Sequence, residues 1–206
     1  MSAKPVRAND VSAPYGHIKG SAIRELVLWY ERKHDPTLLR AVARAMPPEL
    51  DARLEPDAPG LGILASRWYD ARVVHLLLDA TVAKHPPDAR DALLREGIRE
   101  VVRGAARGMY AFVIGQIVSP ELYARNIQRL WGLLQDTGER RIEITGPQAL
   151  SITRGWRGHH PIACRVNQHT MAVILEVLGK RDVRFAKERC VADGSPDCCY
   201  RFVWTG

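Results

Sequence analysis

The sequence ERCVADGSPDCCYRFVW, which runs from Glu188 to Trp204, decides the interpretation of the C-terminal part of the chain. Runs of alternating apolar and polar residues flank an Asp-Gly-Ser-Pro-Asp segment, a pattern typical of two antiparallel strands joined by a turn. We therefore predict strands at residues 182–191 and 199–204. One face of the second strand carries Cys198, Tyr200, Phe202 and Trp204.

The segments upstream extend this hairpin to a small sheet with a helical layer. Residues 141–145 and 149–153 also alternate, and Gly146-Pro147 separates them. Apolar residues recur at helical spacing in six segments, at 21–35, 36–45, 68–85, 89–118, 119–136 and 169–179. Helices followed by a β-β-α-β-β segment predict an α+β fold, in which an N-terminal helical layer packs on a C-terminal antiparallel sheet.

The chain length favours a single domain. A chain of 206 residues can bury a core without disulfides or metals. We predict a flexible leader at residues 1–18 and one α+β domain at residues 19–206. The helical part of this domain spans residues 19–138, and its β-β-α-β-β part spans residues 139–206.

Charge and hydropathy exclude several function classes. The net charge of +7 comes mainly from arginines that are dispersed along helical stretches among acids. A nucleic-acid footprint is a basic run or a cluster on one face, so no nucleic-acid partner is expected. No run approaches the ~20 apolar residues of a membrane span, and the N-terminus lacks the apolar core of a signal peptide. We expect a cytoplasmic protein.

The four cysteines are concentrated near the C-terminus, at Cys164, Cys190, Cys198 and Cys199. In a cytoplasmic chain, such cysteines are either buried apolar thiols or metal ligands. A hairpin brings Cys190 and Cys198 together at its closed end, and with Cys164 they could supply tetrahedral ligands to a zinc ion. Candidates for a fourth ligand in the same region are His159, His160 and His169.

The run from Glu188 to Trp204 resembles the closing hairpin of the four-vinyl-reductase domain family. This family shares its fold with TRAPP vesicle-tethering subunits and is similar to haem-NO-binding domains. The resemblance therefore implies a TRAPP-like or NO-signalling ligand-binding-like fold. Members of the family include sensor domains of phenol-responsive bacterial transcription activators, so a sensor role is implied as well.

The same resemblance implies a zinc site. In those sensors, zinc is held by a cysteine before the penultimate helix, by a glutamate and a cysteine on one strand, and by a cysteine after the turn. Cys164, Cys190 and Cys198 match the three thiolates in order. Lys187 occupies the place of the carboxylate, so Glu188 or Cys199 is the expected fourth ligand.

From Lys19 onward, the chain also resembles an uncharacterised protein family of about 200 residues that is abundant in myxobacteria. The segments that carry this resemblance are Lys19-Gly-Ser-Ala, Trp68-Tyr69, 95–108, Ser119-Pro-Glu121, Arg129-Leu-Trp131, Asp136-Thr-Gly138 and 198–204. It implies a single domain but no biochemical role.

We expect a non-enzymatic, sensor-like domain that binds a small molecule or has a regulatory role. Apolar stripes at residues 73–78 and 109–118 suit either a plain core or a pocket for a hydrophobic small molecule between helices and sheet. The predicted pocket residues are Tyr110, Phe112, Trp131 and Trp156. The alternative function is a protein-interaction or scaffold subunit, acting as a homodimer or in a heteromeric complex.

The sequence lacks the common catalytic and nucleotide-binding motifs. It contains no GxGxxG after a predicted strand, no Walker loop, no HExxH and no GxSxG, so we expect neither an enzyme nor a nucleotide cofactor. We do not expect haem either, because a proximal histidine must lie on a helix and face a large pocket. His75 is the one candidate for that role, and zinc is the one cofactor predicted.

Overall fold

This computed structural model describes residues 15–50, 52–107 and 118–206 of the chain. A mainly helical part comes first, and a part with four longer strands and one helix follows. The helices and strands are, in chain order, β1 (His17–Lys19), α1 (Gly20–Lys33), α2 (Thr37–Arg44), β2 (Trp68–Asp70), α3 (Ala71–Ala83), α4 (Arg90–Arg107), α5 (Pro120–Leu134), β3 (Glu139–Thr145), β4 (Gln148–Arg154), α6 (Pro161–Val177), β5 (Arg181–Arg189) and β6 (Asp197–Thr205).

The main sheet is antiparallel, with strand order β3-β4-β6-β5. β6 lies between two partners, and its Tyr200 is opposite Ser151 of β4 and Lys187 of β5. Its inward face buries Tyr200, Phe202 and Trp204, in agreement with the alternation of the sequence. α5 packs against β3 and α6 against β5. The predicted α+β fold, with a helical layer on an antiparallel sheet, is confirmed.

A close crossing of α1 and α4 fixes the helical layer. A Cβ atom added at Gly97 would lie 2.6 Å from Leu26 Cδ1 and 2.8 Å from Trp29 Cζ3. Only a glycine lets the two helices approach to this distance.

Capping residues set where the helices begin. Ser119 Oγ accepts the backbone N–H of Leu122 at 3.2 Å, and a proline follows it at the first position of α5. α6 likewise begins with Pro161 after the capping residue His160. This helix was predicted to begin at residue 169. The prediction was wrong because polar residues interrupt the apolar stripe of its first two turns.

Two other predicted boundaries also differ from the structure. β1 includes His17 and Ile18, which were assigned to the leader, and Ile18 is buried. β1 pairs with β2, so the helix predicted from residue 68 begins only at Ala71. The remaining leader residues 1–14 lie outside the described residues, as do residues 108–117 of the fourth predicted helix. Among the described residues, no helix has both the length and the apolar character needed to cross a membrane.

Candidate functional site

Four side chains with metal-binding atoms meet at the closed end of the β5–β6 hairpin. The ligand atoms of His159, Cys164, Cys190 and Cys198 all lie within 4.8 Å of one another. Cys190 Sγ is 3.1 Å from Cys198 Sγ, and His159 Nε2 is 3.3 Å from Cys190 Sγ. All four cysteines of the chain are free thiols. We call these four residues the thiol cluster.

Local backbone structure brings the thiol cluster together. The early start of α6 puts Cys164 in the first turns of that helix, close to His159 in the preceding connection. Cys190 follows β5 and Cys198 lies at the start of β6, with a short 3-10 turn between them. That turn ends at Gly194, whose φ of +83° is a left-handed conformation that favours glycine.

A β-bulge directs Cys190 into the thiol cluster and Glu188 away from it. Lys187 is opposite Tyr200, but Arg189 is already opposite Cys199, so β5 contains one extra residue. The bulge reverses the alternation of the side chains. Glu188 therefore accepts a hydrogen bond from Arg201 Nε at 2.7 Å on the exposed face instead of sharing a face with Cys190.

The structure thus brings together three of the predicted metal ligands but places neither predicted fourth ligand beside them. Cys199 is buried on the opposite face of β6, between β4 and β5. His159 takes the fourth position. Of the other two histidines that we considered, His160 caps α6 and His169 Nε2 lies 3.4 Å from Asp91.

Contacts within the thiol cluster favour a thiolate. A hydrogen bond from Cys198, with further contributions from His159 and Tyr200, lowers the pKa of Cys164 to about 4. The same contact raises the pKa of Cys198, which therefore keeps its proton. The backbone N–H of Val191 points to Cys198 Sγ at 3.4 Å. Sulfur and imidazole ligands with such outer hydrogen bonds are typical of a structural zinc site.

An apolar cavity of about 240 Å³ lies between the helical layer and the sheet, next to the thiol cluster. Most of its wall is aliphatic, including Ile23, Leu26, Leu78, Ile98, Ile127 and Ile174. Trp131 and Trp156, two of the four predicted pocket residues, also line it. The other two, Tyr110 and Phe112, lie outside the described residues.

The cavity wall also contains polar residues that the sequence analysis missed: Tyr123, Gln135 and Arg140. Trp156 Nε1 donates to Gln135 Oε1 at 3.1 Å. Arg140 is on the inward face of β3, two residues before the buried Ile142. An arginine in phase with the apolar positions of a strand was the signal that could have identified it.

The connection between β4 and α6 joins the cavity to the thiol cluster. It supplies Trp156 to the cavity wall and His159 to the cluster, and their rings meet edge to face at 5.7 Å. Gly138, with a φ of +84°, lies beneath Trp156, and a Cβ there would be 2.8 Å from Trp156 Cα. The two sites therefore share one tightly packed segment.

No protein-family model matches the chain, and no curated protein matches it in sequence. Solved structures, by contrast, match it over nearly its whole length. An unliganded Fe(II) H-NOX protein mutant from K. algicida is 14% identical with a TM-score of 0.65, and the match covers 92% of this chain and 97% of that one. The chain has an H-NOX-like fold.

Two further structures support the H-NOX-like fold. An H-NOX protein from S. oneidensis in the Fe(II)NO state is 9% identical with a TM-score of 0.67, over 92% of this chain and 100% of that one. An oxygen-binding H-NOX domain related to soluble guanylate cyclases is 10% identical with a TM-score of 0.60, over 92% and 96%. The expected likeness to haem-NO-binding domains is confirmed for the fold. Membership of the four-vinyl-reductase or the myxobacterial family stays a prediction.

The H-NOX-like fold also corrects our expectation about haem. The neighbouring structures are described as Fe(II), NO-bound or oxygen-bound, and one concerns haem distortion in the H-NOX family. The expectation that haem is unlikely is therefore wrong, because haem is described for a protein that shares this fold. The sequence argument against haem considered a single histidine and did not use the implied likeness to haem-NO-binding domains.

The described cavity wall meets the chemical requirements of haem in part. Arg140 suits a propionate, and Tyr123 offers a phenol, but the described wall contains no histidine, cysteine or methionine for the iron. His75, the candidate from the sequence, lies outside this wall. Its Nε2 is 3.0 Å from Gly158 O, its ring stacks on His160, and burial lowers its pKa.

Proposed function

We propose that this protein is a non-enzymatic, sensor-like domain that binds a small apolar molecule in its cavity and holds a structural zinc ion at the thiol cluster. The observation that carries the proposal is the edge-to-face contact of Trp156 with His159, because it links the cavity wall to the cluster. A ligand that contacts Trp156 would be sensed by the segment that also carries a zinc ligand.

The geometry of the thiol cluster supports zinc. Ligand atoms around a tetrahedral zinc ion bind at about 2.0–2.3 Å, so two sulfurs lie about 3.8 Å apart. The four ligand atoms here lie within 4.8 Å of one another, and the shortest sulfur–sulfur distance is 3.1 Å. Small side-chain shifts would bring them to tetrahedral positions. The lowered pKa of Cys164 favours the thiolate form that binds zinc.

The size and lining of the cavity support an apolar ligand. A dry engineered cavity of about 150 Å³ binds benzene. The present cavity of about 240 Å³ has room for a somewhat larger molecule, and most of its wall is aliphatic or aromatic. The H-NOX-like fold, whose structurally similar proteins are described with bound NO or oxygen, agrees with a binding domain.

Metal analysis tests the zinc site. We expect about one zinc per chain in protein purified without a histidine tag, measured by plasma mass spectrometry. Cys190→Ser removes a ligand and should abolish zinc binding. Cys199→Ser is the matched control, since it replaces a buried cysteine outside the cluster, and it should retain zinc, as should Glu188→Gln. A folded wild-type protein without metal would contradict the site.

Calorimetric titration with octanol tests the cavity. We expect saturable binding of one octanol per chain with a negative heat-capacity change, the sign of apolar burial. Quenching or enhancement of tryptophan fluorescence should accompany it, because Trp131 and Trp156 line the cavity. Absence of saturable binding would contradict the proposed function. The alternative scaffold role as a homodimer or heteromer stays a prediction, which sedimentation equilibrium can check.

A further inference from the structure

Arg140 places a buried positive charge in the wall of the apolar cavity. The residue is 5% exposed. Its Nε and Nη2 donate to Ser151 Oγ at 3.3 and 3.2 Å, and Nη2 also donates to the Asn167 carbonyl at 3.3 Å. These partners are neutral, and no carboxylate of the described residues forms an ion pair with the guanidinium. The Nη1 group has no hydrogen-bond partner among those residues, and the guanidinium carbon lies 5.7 Å from the centroid of the Trp131 ring.

A second buried polar side chain lines the cavity. Tyr123 is 2% exposed, and its phenol is part of the cavity wall. Burial raises the pKa of Tyr123, so the phenol keeps its proton and can donate. Gln135 accepts from Trp156 through its carbonyl oxygen, which leaves its amide N–H groups as further donors.

A buried charge without a counter-ion is costly inside a protein unless a partner of opposite charge arrives. From these groups we infer that the cavity binds an apolar molecule that carries a carboxylate, with Arg140 pairing its charge and Tyr123 donating a hydrogen bond. The inference rests on the proposed ligand-binding function and specifies its ligand class. Nε and Nη2 already donate to Ser151 and Asn167, so the Nη1 group is the donor left for one oxygen of the carboxylate, in a charge-assisted hydrogen bond.

The surroundings of Arg140 agree with an anionic ligand. Arg140 also borders a depression between α5 and the start of β3, where Arg125 and Arg141 add positive charge beside Glu139. A carboxylate approaching the cavity from this side is attracted, whereas an ammonium group is repelled. A neutral molecule would fill the apolar space but would leave the charge of Arg140 unpaired.

The test compares ligands that differ only in their head group. Octanoate, octanol and octylamine are titrated into the full chain by calorimetry at low ionic strength. We expect octanoate to bind about 10- to 100-fold more tightly than octanol, which is the contribution of a charged hydrogen bond, and octylamine to bind more weakly than octanol. Arg140→Gln should abolish the preference for octanoate, and Tyr123→Phe should reduce it.

Arg184→Gln is the matched control, because it removes the same charge from an exposed position of β5, away from the cavity and the depression, and should retain the preference. Arg140→Lys keeps the charge and should retain most of it, which separates a loss of charge from a loss of folding. Equal affinities for octanoate and octanol in the wild type would overturn the inference while leaving the cavity function intact. Binding of neither molecule would overturn both.

Haemin also carries carboxylates, its two propionates, on a larger apolar macrocycle. It is titrated into the protein in parallel, and binding is followed by absorbance. A Soret band that weakens in Arg140→Gln would support the inference with a tetrapyrrole as the source of the carboxylate. Octanoate binding that depends on Arg140, without any haemin binding, would support it with a simple carboxylic acid as the source.

Discussion

The thiol cluster and the cavity are neighbours, yet the chain builds them in different ways. The cluster draws its four side chains from residues 159–198, a single helix–hairpin unit. The cavity draws its wall from Ile18 in β1 to Leu178 after α6, so its residues are distant in sequence. The cluster depends on the positions of a few atoms, whereas the cavity depends on how helices pack.

This difference has a consequence for mutations. Removing one atom from the thiol cluster should remove its metal, because a tetrahedral site needs every ligand. Removing one methyl group from the cavity wall should only change its volume. The two sites are expected to respond to separate substitutions, except through the segment from Trp156 to His159 that they share.

The largest expected effect that separates them is on ligand affinity when the cavity is filled. Ala22 lines the cavity from α1, and Ala22→Phe places a ring in the space for a ligand. We expect the affinity for octanol to fall by at least about tenfold, with zinc content unchanged. Ala41→Phe, on the exposed side of α2, is the matched control and should leave both unchanged. A loss of zinc in Ala22→Phe would show that the sites are not separable.

A smaller effect on octanol affinity is expected when zinc is removed, because the segment from Trp156 to His159 belongs to both sites. Removal of zinc frees His159, and Trp156 then loses a fixed neighbour in the cavity wall. We expect octanol affinity to fall about three- to fivefold in chelator-treated protein, measured by calorimetry. Linkage requires octanol to raise the zinc affinity by the same factor, which a competition titration checks. If the two binding constants are independent, the shared segment does not couple the sites.

The hairpin pattern and the order of elements could be predicted from the sequence, because alternation and helical spacing are local signals. The ligand set could be predicted only in part. Glu188 and Cys190 are two residues apart, which on a regular strand means a shared face, but the bulge places them on opposite faces. A bulge depends on packing between strands, and the alternation of apolar and polar residues in the sequence does not reveal it.

The cavity was harder to predict from the sequence than the thiol cluster. The apolar stripes of α3 and α5 suit a solid core as well as a cavity, since the same residues face inward in both cases. Arg140 was not among the predicted site residues, although its position in phase with Ile142 indicates burial. Such a residue becomes informative only when its partners are known, and the structure shows that these are neutral.

The last expected effect is on stability and its pH dependence, and it concerns the hairpin that carries the thiol cluster. Asp197, at the start of β6, is buried and accepts from Arg189 at 2.5 Å and from Arg154 at 3.0 Å. The hydrogen bond from Arg189, with that from Arg154, holds the pKa of Asp197 below its usual value. The ion pairs therefore stabilise the fold above the unfolded-state pKa of about 3.9, and this stability is lost as the pH falls through the lower folded-state value.

Asp197→Asn should consequently lower the free energy of unfolding by about 1–2 kcal/mol at neutral pH, measured by urea denaturation. The deficit should shrink as the pH falls below 4 in that series, since the wild type then loses the same charge. Asp193→Asn is the matched control: its pair with Lys187 is exposed on the same hairpin and should contribute less than about 1 kcal/mol.

Because Asp197 anchors the strand that carries Cys198 and is absent from the cavity wall, Asp197→Asn should weaken zinc binding and leave octanol affinity unchanged. An equal loss of affinity for zinc and for octanol would mean that the hairpin stabilises the cavity as much as it stabilises the thiol cluster.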